Sequence, residues 1–120
     1  MKLPRPRPAD LSFFLSVVPK TTSVEVRPMF RNDAAFVNGN MFMGLFGSDV
    51  FVKLPEEDQR ELLKEKGASR FAPMKGRPMS GYVVIPSSWR EDTERVMAWV
   101  SRSLEWASAL PPKAPKRPKR

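Results

Sequence analysis

The stretch Ala35-Phe36-Val37-Asn38-Gly39-Asn40-Met41-Phe42-Met43-Gly44-Leu45-Phe46 reads as a β-hairpin. Two apolar runs flank Asn38-Gly39, and Asn-Gly supplies the two positive-φ residues that a type I′ turn requires. A second turn at Gly47-Ser48-Asp49 leads into Val50-Phe51-Val52-Lys53-Leu54. Strands joined by turns this short pair antiparallel, because a parallel return needs a long crossover. Strict alternation puts Met41, Met43 and Leu45 on one face and Phe42, Gly44 and Phe46 on the other. Both faces are therefore apolar, which implies cover on both sides by a helix or a second subunit. A ligand groove lined by Met and Phe is the alternative reading.

Upstream, Val24-Glu25-Val26-Arg27 alternates, and Pro28 marks an edge strand or a bulge. Asp10 is the predicted N-cap of a short helix over Leu11 to Val18, closed by Pro19. Downstream, Pro55 stands at the expected first helical position. Glu56, Glu57 and Asp58 follow it near the positive end of the dipole, and Gly67 lies past the last turn. Tyr82-Val83-Val84-Ile85 reads as a short buried strand ended by Pro86. Val96, Trp99, Val100, Ser103, Leu104, Ala107 and Leu110 recur at three- and four-residue steps, the stripe of an amphipathic helix. Ser87 or Ser88 is the expected cap for its entry, and Pro111-Pro112 ends it. The predicted fold is α+β, an antiparallel meander with helices packed on one face, in the order α-β-β-β-α-β-α.

Composition narrows the chemistry. The 120 residues suffice for one domain with a modest core. Cysteine and histidine are both absent, which excludes disulfides, Cys/His zinc sites, histidine-dependent nucleophiles and imidazole acid–base catalysis. The net charge of +8 resides at the ends. Lys2, Arg5 and Arg7 lie in the first eight residues; Lys113, Lys116, Arg117, Lys119 and Arg120 lie in the last eight, and the body between is neutral. Both ends alternate Pro with Lys or Arg, a pattern that does not pack. The expected organisation is a basic, disordered Pro-rich N-terminus over 1–9, a domain over 10–112 and a basic tail over 113–120. The apolar runs are too short for a membrane span, and no signal-peptide core follows Met1-Lys2, so a cytoplasmic protein is expected.

Met29-Phe30, followed by Ala35 to Met41, resembles the N-terminal domain of TfoX/Sxy-type proteins, where a Met-Phe-Gly-Gly turn precedes an Asn-Gly hairpin. The likeness continues through Val52-Lys53-Leu54, through Phe71-Ala72-Pro73-Met74-Lys75-Gly76-Arg77-Pro78-Met79-Ser80-Gly81-Tyr82, and through Trp99-Val100 to Leu110-Pro111-Pro112-Lys113. Gly76-Arg77-Pro78-Met79 with Gly81-Tyr82 is its most specific piece. Arg31-Asn32 replaces the family's Gly-Gly. The resemblance implies the α+β fold above and a regulatory role, since the family's regulators take part in control of DNA-uptake competence genes. Longer members add a C-terminal domain, and this chain is similar to the stand-alone form.

Four candidate sites follow. Arg70, Lys75, Gly76 and Arg77 form a candidate anion- or partner-binding loop, because glycine permits close backbone approach and arginine presents a fork of donors; a structural loop is the other reading. Lys113, Lys116, Arg117, Lys119 and Arg120 form a candidate nucleic-acid tail, salt-sensitive and blind to sequence, or else a solubilising one. Trp99 and Trp106 are spaced for packing rather than for base stacking. Glu56, Glu57, Asp58 and Glu61 are the acidic cluster, ordinary at a helix start. No catalytic residue, metal ligand or cofactor is expected, and the expected partners are a protein, including a second copy of the chain, and nucleic acid through the tails.

Overall fold

A computed structural model describes residues 5–29, 32–72 and 80–111. Asn38 and Gly39 both take positive φ, 51° and 80°, as the Asn-Gly turn demands. That turn joins β2 (Asn32–Val37) to β3 (Asn40–Phe46). Gly47, at φ 64°, opens the next two-residue turn into β4 (Asp49–Lys53). β1 (Val24–Met29) precedes them and pairs antiparallel with β2. Four strands thus come before the first helix that follows the meander, where the predicted order had three. The runs at Val24 and Ala35 are separate strands, with Met29 opposite Asn32.

α2 (Glu56–Leu63) then returns the chain to the far side of β4. There the two-residue β5 (Ser69–Arg70) and β6 (Tyr82–Val84) complete the sheet, in the order β1-β2-β3-β4-β6-β5. Pro55 is the residue before α2 rather than its first, so the acidic run starts the helix. A 3-10 turn over Ser87–Glu91 precedes α3 (Thr93–Ser108). The cap of α3 is Asp92, whose side chain accepts the Arg95 N–H at 3.3 Å, and not Ser87 or Ser88. Proline 86 and the 3-10 turn, which buries Trp89, occupy the stretch that the serines were expected to cap.

The first helix also differs from its prediction. α1 spans Pro8–Val17, with Pro8 at N1, where its missing N–H costs nothing. Asp10 sits one turn in, and its carboxylate reaches back to accept the Arg7 N–H at 2.9 Å. It also takes Arg90 at 2.6 Å and is 2% exposed. Arg90 spans three elements: it donates to the Ser48 carbonyl at 3.0 Å and lies 5.0 Å from the Phe13 ring. These bonds, the Arg7 N–H first and Arg90 next, hold the Asp10 carboxyl below its ordinary range against the opposing effect of burial.

All three helices pack on one face of the sheet. Phe14 and Val17 of α1, Leu62 of α2, and Val96, Trp99, Val100 and Ala107 of α3 join Val52 and Val83 of the sheet in one core. The stripe read from the sequence is therefore the packing face of α3. Across the helices, Arg102 pairs with Glu61 at 2.8 Å and with Asp58 at 3.8 Å, and Glu56 pairs with Arg60 at 2.7 Å. The acidic cluster is largely engaged in helix-to-helix and intrahelical pairs.

One irregularity decides which residues face the helices. Phe36 pairs with Met41 and Ala35 with Met43, so Phe42 is an extra residue in β3, a bulge. Alternation breaks there. Phe42 joins Met43 and Leu45 against the helices, while Met41 turns to the opposite face with Phe46. This reverses the assignment of Met41 and Phe42 that strict alternation gives. Side chains meet the bulge's two carbonyls: Ser103 of α3 donates to Phe42 O at 2.6 Å, and Tyr82 donates to Met41 O at 3.2 Å. Both bonds are buried, which is why a small polar residue sits in the apolar stripe of α3.

Candidate functional site

The helix-free face is built by the residues that alternate away from the helices. Ala34, Met41, Phe51, Phe71 and Tyr82 are buried there, flanked by the half-buried Met29, Phe36, Phe46 and Val84. Gly44 makes the cluster possible. A Cβ at this position would lie 2.3 Å from Phe51 Cζ, so the Phe51 ring rests directly on the Gly44 backbone. Phe71 stacks on Phe51 at 3.9 Å, and Tyr82 and Phe46 complete the cluster edge-on, to Phe51 at 5.5 Å and to Phe71 at 5.4 Å. Such offset and edge contacts contribute beyond their buried area.

Tyr82 is the sole tyrosine of the chain, and burial pushes its hydroxyl up to about 12 from a usual 10. A raised folded-state value favours the neutral phenol. Because burial penalises the phenolate, this group leaves stability unchanged below pH 10 and lowers it by about 2–3 kcal/mol as pH climbs toward 12. Phenolate absorbance should therefore titrate near 12 in the native protein and near 10 in denaturant. A native midpoint at the ordinary value would mean that the hydroxyl reaches water.

Two cavities open at opposite ends of this cluster. The first, about 320 Å³, is lined by Phe46, Gly47, Ser48, Asp49, Ser69, Arg70, Phe71, Ala72 and Val84. Arg70 stands on the outermost strand, exposed, with Gln59 Oε1 at 3.4 Å. No carboxylate pairs with it among the described residues. Asp49 is on the same rim; partial burial raises its carboxyl, Arg90 opposes that shift, and Asp10 adds to it. The second, about 240 Å³, is lined by Met29, Phe36, Gly39, Asn40, Met41, Lys53 and Tyr82.

Of the candidate loop, the structure places Arg70 at the first cavity; Lys75, Gly76 and Arg77 lie outside the described residues. So do the tail residues Lys113, Lys116, Arg117, Lys119 and Arg120. Each tryptophan has a cation beside its ring: Arg95 at 4.0 Å from Trp89, Arg102 at 4.4 Å from Trp99, and Lys53 at 6.0 Å from Trp106. Trp89 and Trp99 are buried, consistent with packing rather than with an open stacking platform. Among the described residues, no group of three or more acidic side chains is placed to hold a metal, and no helix is long and apolar enough to cross a membrane. Sequence reading missed Lys53 and Tyr82 as site residues; their only signal was alternation, which places both on the face of Phe51.

No curated protein matches the chain at a significant level. The family model of the TfoX N-terminal domain matches residues 17–107, from the end of α1 to the last turn of α3 and including every strand just described. With three quarters of its length matched, and with the Asn-Gly hairpin, the sheet and the three packed helices all inside or bordering that match, the chain belongs to the TfoX N-terminal domain family.

Proposed function

We propose that the protein is a non-catalytic, cytoplasmic regulatory domain that works by binding a protein partner at the sheet edge, where the cavity of the helix-free face walled by Phe46 and Phe71 meets Arg70. Arg70 lies opposite Val83 and turns toward Gln59 of α2. The observation that carries this reading is an exposed arginine that has no carboxylate partner among the described residues, beside a cavity whose apolar wall is Phe46, Phe71 and Val84. An apolar wall next to an open guanidinium suits a partner segment carrying an acidic residue beside an apolar one. The other apolar face is already occupied by the chain's own helices, so a second subunit or another protein would meet this one. Family membership supports a role in regulation, with competence genes as the process to examine first.

The test replaces Arg70 with Glu in the native host and measures competence-gene transcripts beside a chain truncated after Pro112. Arg70→Glu should lower transcripts at least about fivefold, a typical coupling magnitude, with an unchanged melting temperature. Truncation should leave them intact. The confinement of net charge to the chain ends favours a second reading, accessory nucleic-acid binding. Loss on truncation alone, together with salt-sensitive DNA anisotropy that also vanishes on truncation, would install that reading instead. Transcripts indifferent to both changes would remove competence control.

A further inference from the structure

We propose that the cavity beside Lys53 is a binding site for a small monocarboxylate with a compact apolar body. It lies at the opposite end of the aromatic cluster from Arg70 and shares no lining residue with that corner. Its walls come from five strands. Met29, Phe36, Met41 and Tyr82 make it apolar, and Gly39 and Asn40 of the hairpin close one end. Two groups on this wall are already committed. The Tyr82 hydroxyl donates to Met41 O, and the Asn40 amide donates to Pro111 O at 3.1 Å. The remaining polar side chain is Lys53.

Lys53 is half-buried, and its ammonium has no carboxylate partner among the described residues. Its neighbours are rings instead: Nζ stands 5.5 Å from Tyr82 and 6.0 Å from Trp106. Those rings fix the position of the charge without neutralising it, since a π-face attracts a cation but accepts no proton-bearing bond of carboxylate strength. A second cation near this wall, Arg27, lies over Phe36 at 4.9 Å and is already paired with Glu25 at 2.7 Å. Among the described residues, an incoming anion therefore meets one open charge, that of Lys53. The volume of about 240 Å³, roughly eight water volumes, limits the apolar body to a short chain or a single ring. Adaptable methionine walls accept either shape.

The experiment uses the full chain with isotope-labelled methionine methyl groups. Met29 and Met41 report from the cavity wall, and Met97, exposed on α3, serves as the remote control. Hexanoate should shift the Met29 and Met41 signals and leave Met97 in place. Hexanamide, of the same shape without the charge, and acetate, with the charge but no body, should each bind at least about tenfold more weakly. Lys53→Met, which keeps the apolar stem, should lose hexanoate binding by a similar factor, and Lys53→Arg should restore most of it. The proposal is overturned if hexanoate up to about 10 mM moves neither methyl. Equal binding of hexanamide or acetate, or undiminished binding by Lys53→Met, overturns it as well.

Discussion

Replacing Gly44 with valine is expected to cost about 3 kcal/mol and to lower the melting temperature by roughly 10 °C. The first atom of any side chain there falls 2.3 Å from Phe51 Cζ and within 3.0 Å of two further ring carbons. The ring has no free direction in which to retreat. Phe71 stacks on its other side at 3.9 Å, and Tyr82 meets it edge-on at 5.5 Å. Relief must come from the sheet backbone or from expelling the ring, and either disrupts the whole helix-free cluster. Thermal melts of Gly44→Val, Gly44→Ala, Phe51→Leu and the Gly44→Ala/Phe51→Leu double variant check this. The double variant should be more stable than the sum of the single effects predicts, because the smaller side chain removes the clash. A Gly44→Ala chain as stable as the parent would show that the ring yields freely.

Arg90→Ala should cost a comparable amount, about 3 kcal/mol at neutral pH, for an electrostatic reason. It leaves the Asp10 carboxylate, 2% exposed, with only the Arg7 donors. The guanidinium bonds to Asp10 at 2.6 Å and to the Ser48 carbonyl at 3.0 Å are lost together, so α1 loosens from the β3–β4 turn. The pH dependence gives the mechanism away. Asp10 has its folded-state value lowered, so its contribution is present above its unfolded value of 3.8 and is lost as pH falls through the lowered one. The gap between parent and Arg90→Ala should therefore narrow on acidification below 3.8. Asp49, raised by burial but held down by Arg90, rises further when Arg90 is removed, so it adds to that narrowing. Urea titrations at neutral and acid pH measure the gap; a constant gap would assign the loss to packing against Phe13.

Much of this fold is legible from local chemistry. Asn38-Gly39 dictates its turn by the φ values only those residues adopt easily, and the stripe from Val96 to Ala107 dictates the inner face of α3. What escapes is non-local. The Phe42 bulge inserts one residue into an apolar run, and nothing in Met41-Phe42-Met43 distinguishes a bulged triplet from a regular one. Its compensation is written elsewhere, in Ser103 and Tyr82, which only the assembled fold brings to the two carbonyls. The cap of α3 was misplaced because Ser87, Ser88 and Asp92 are all good capping types, and burial of Trp89 chooses among them. At the candidate site, Arg70 was recognisable as an arginine in a loop near glycine and proline. Lys53 was not, since a lysine at the end of a strand is ordinary until a cavity is seen beside it.

The two borders of the sheet bear on how molecules of this protein meet in a concentrated solution. One border is β5, only two residues long; the other is β1, where Pro28 stands opposite Asp33 and contributes no N–H. Val24 has already spent its own N–H on the Thr21 carbonyl at 3.2 Å. A neighbouring chain that tried to add itself as a seventh strand would find few amides to grasp, so fibre-like polymerisation through backbone pairing has no foothold. Any molecule that binds at the aromatic face instead would have to match the shape and charge of its side chains rather than merely supply an extended backbone.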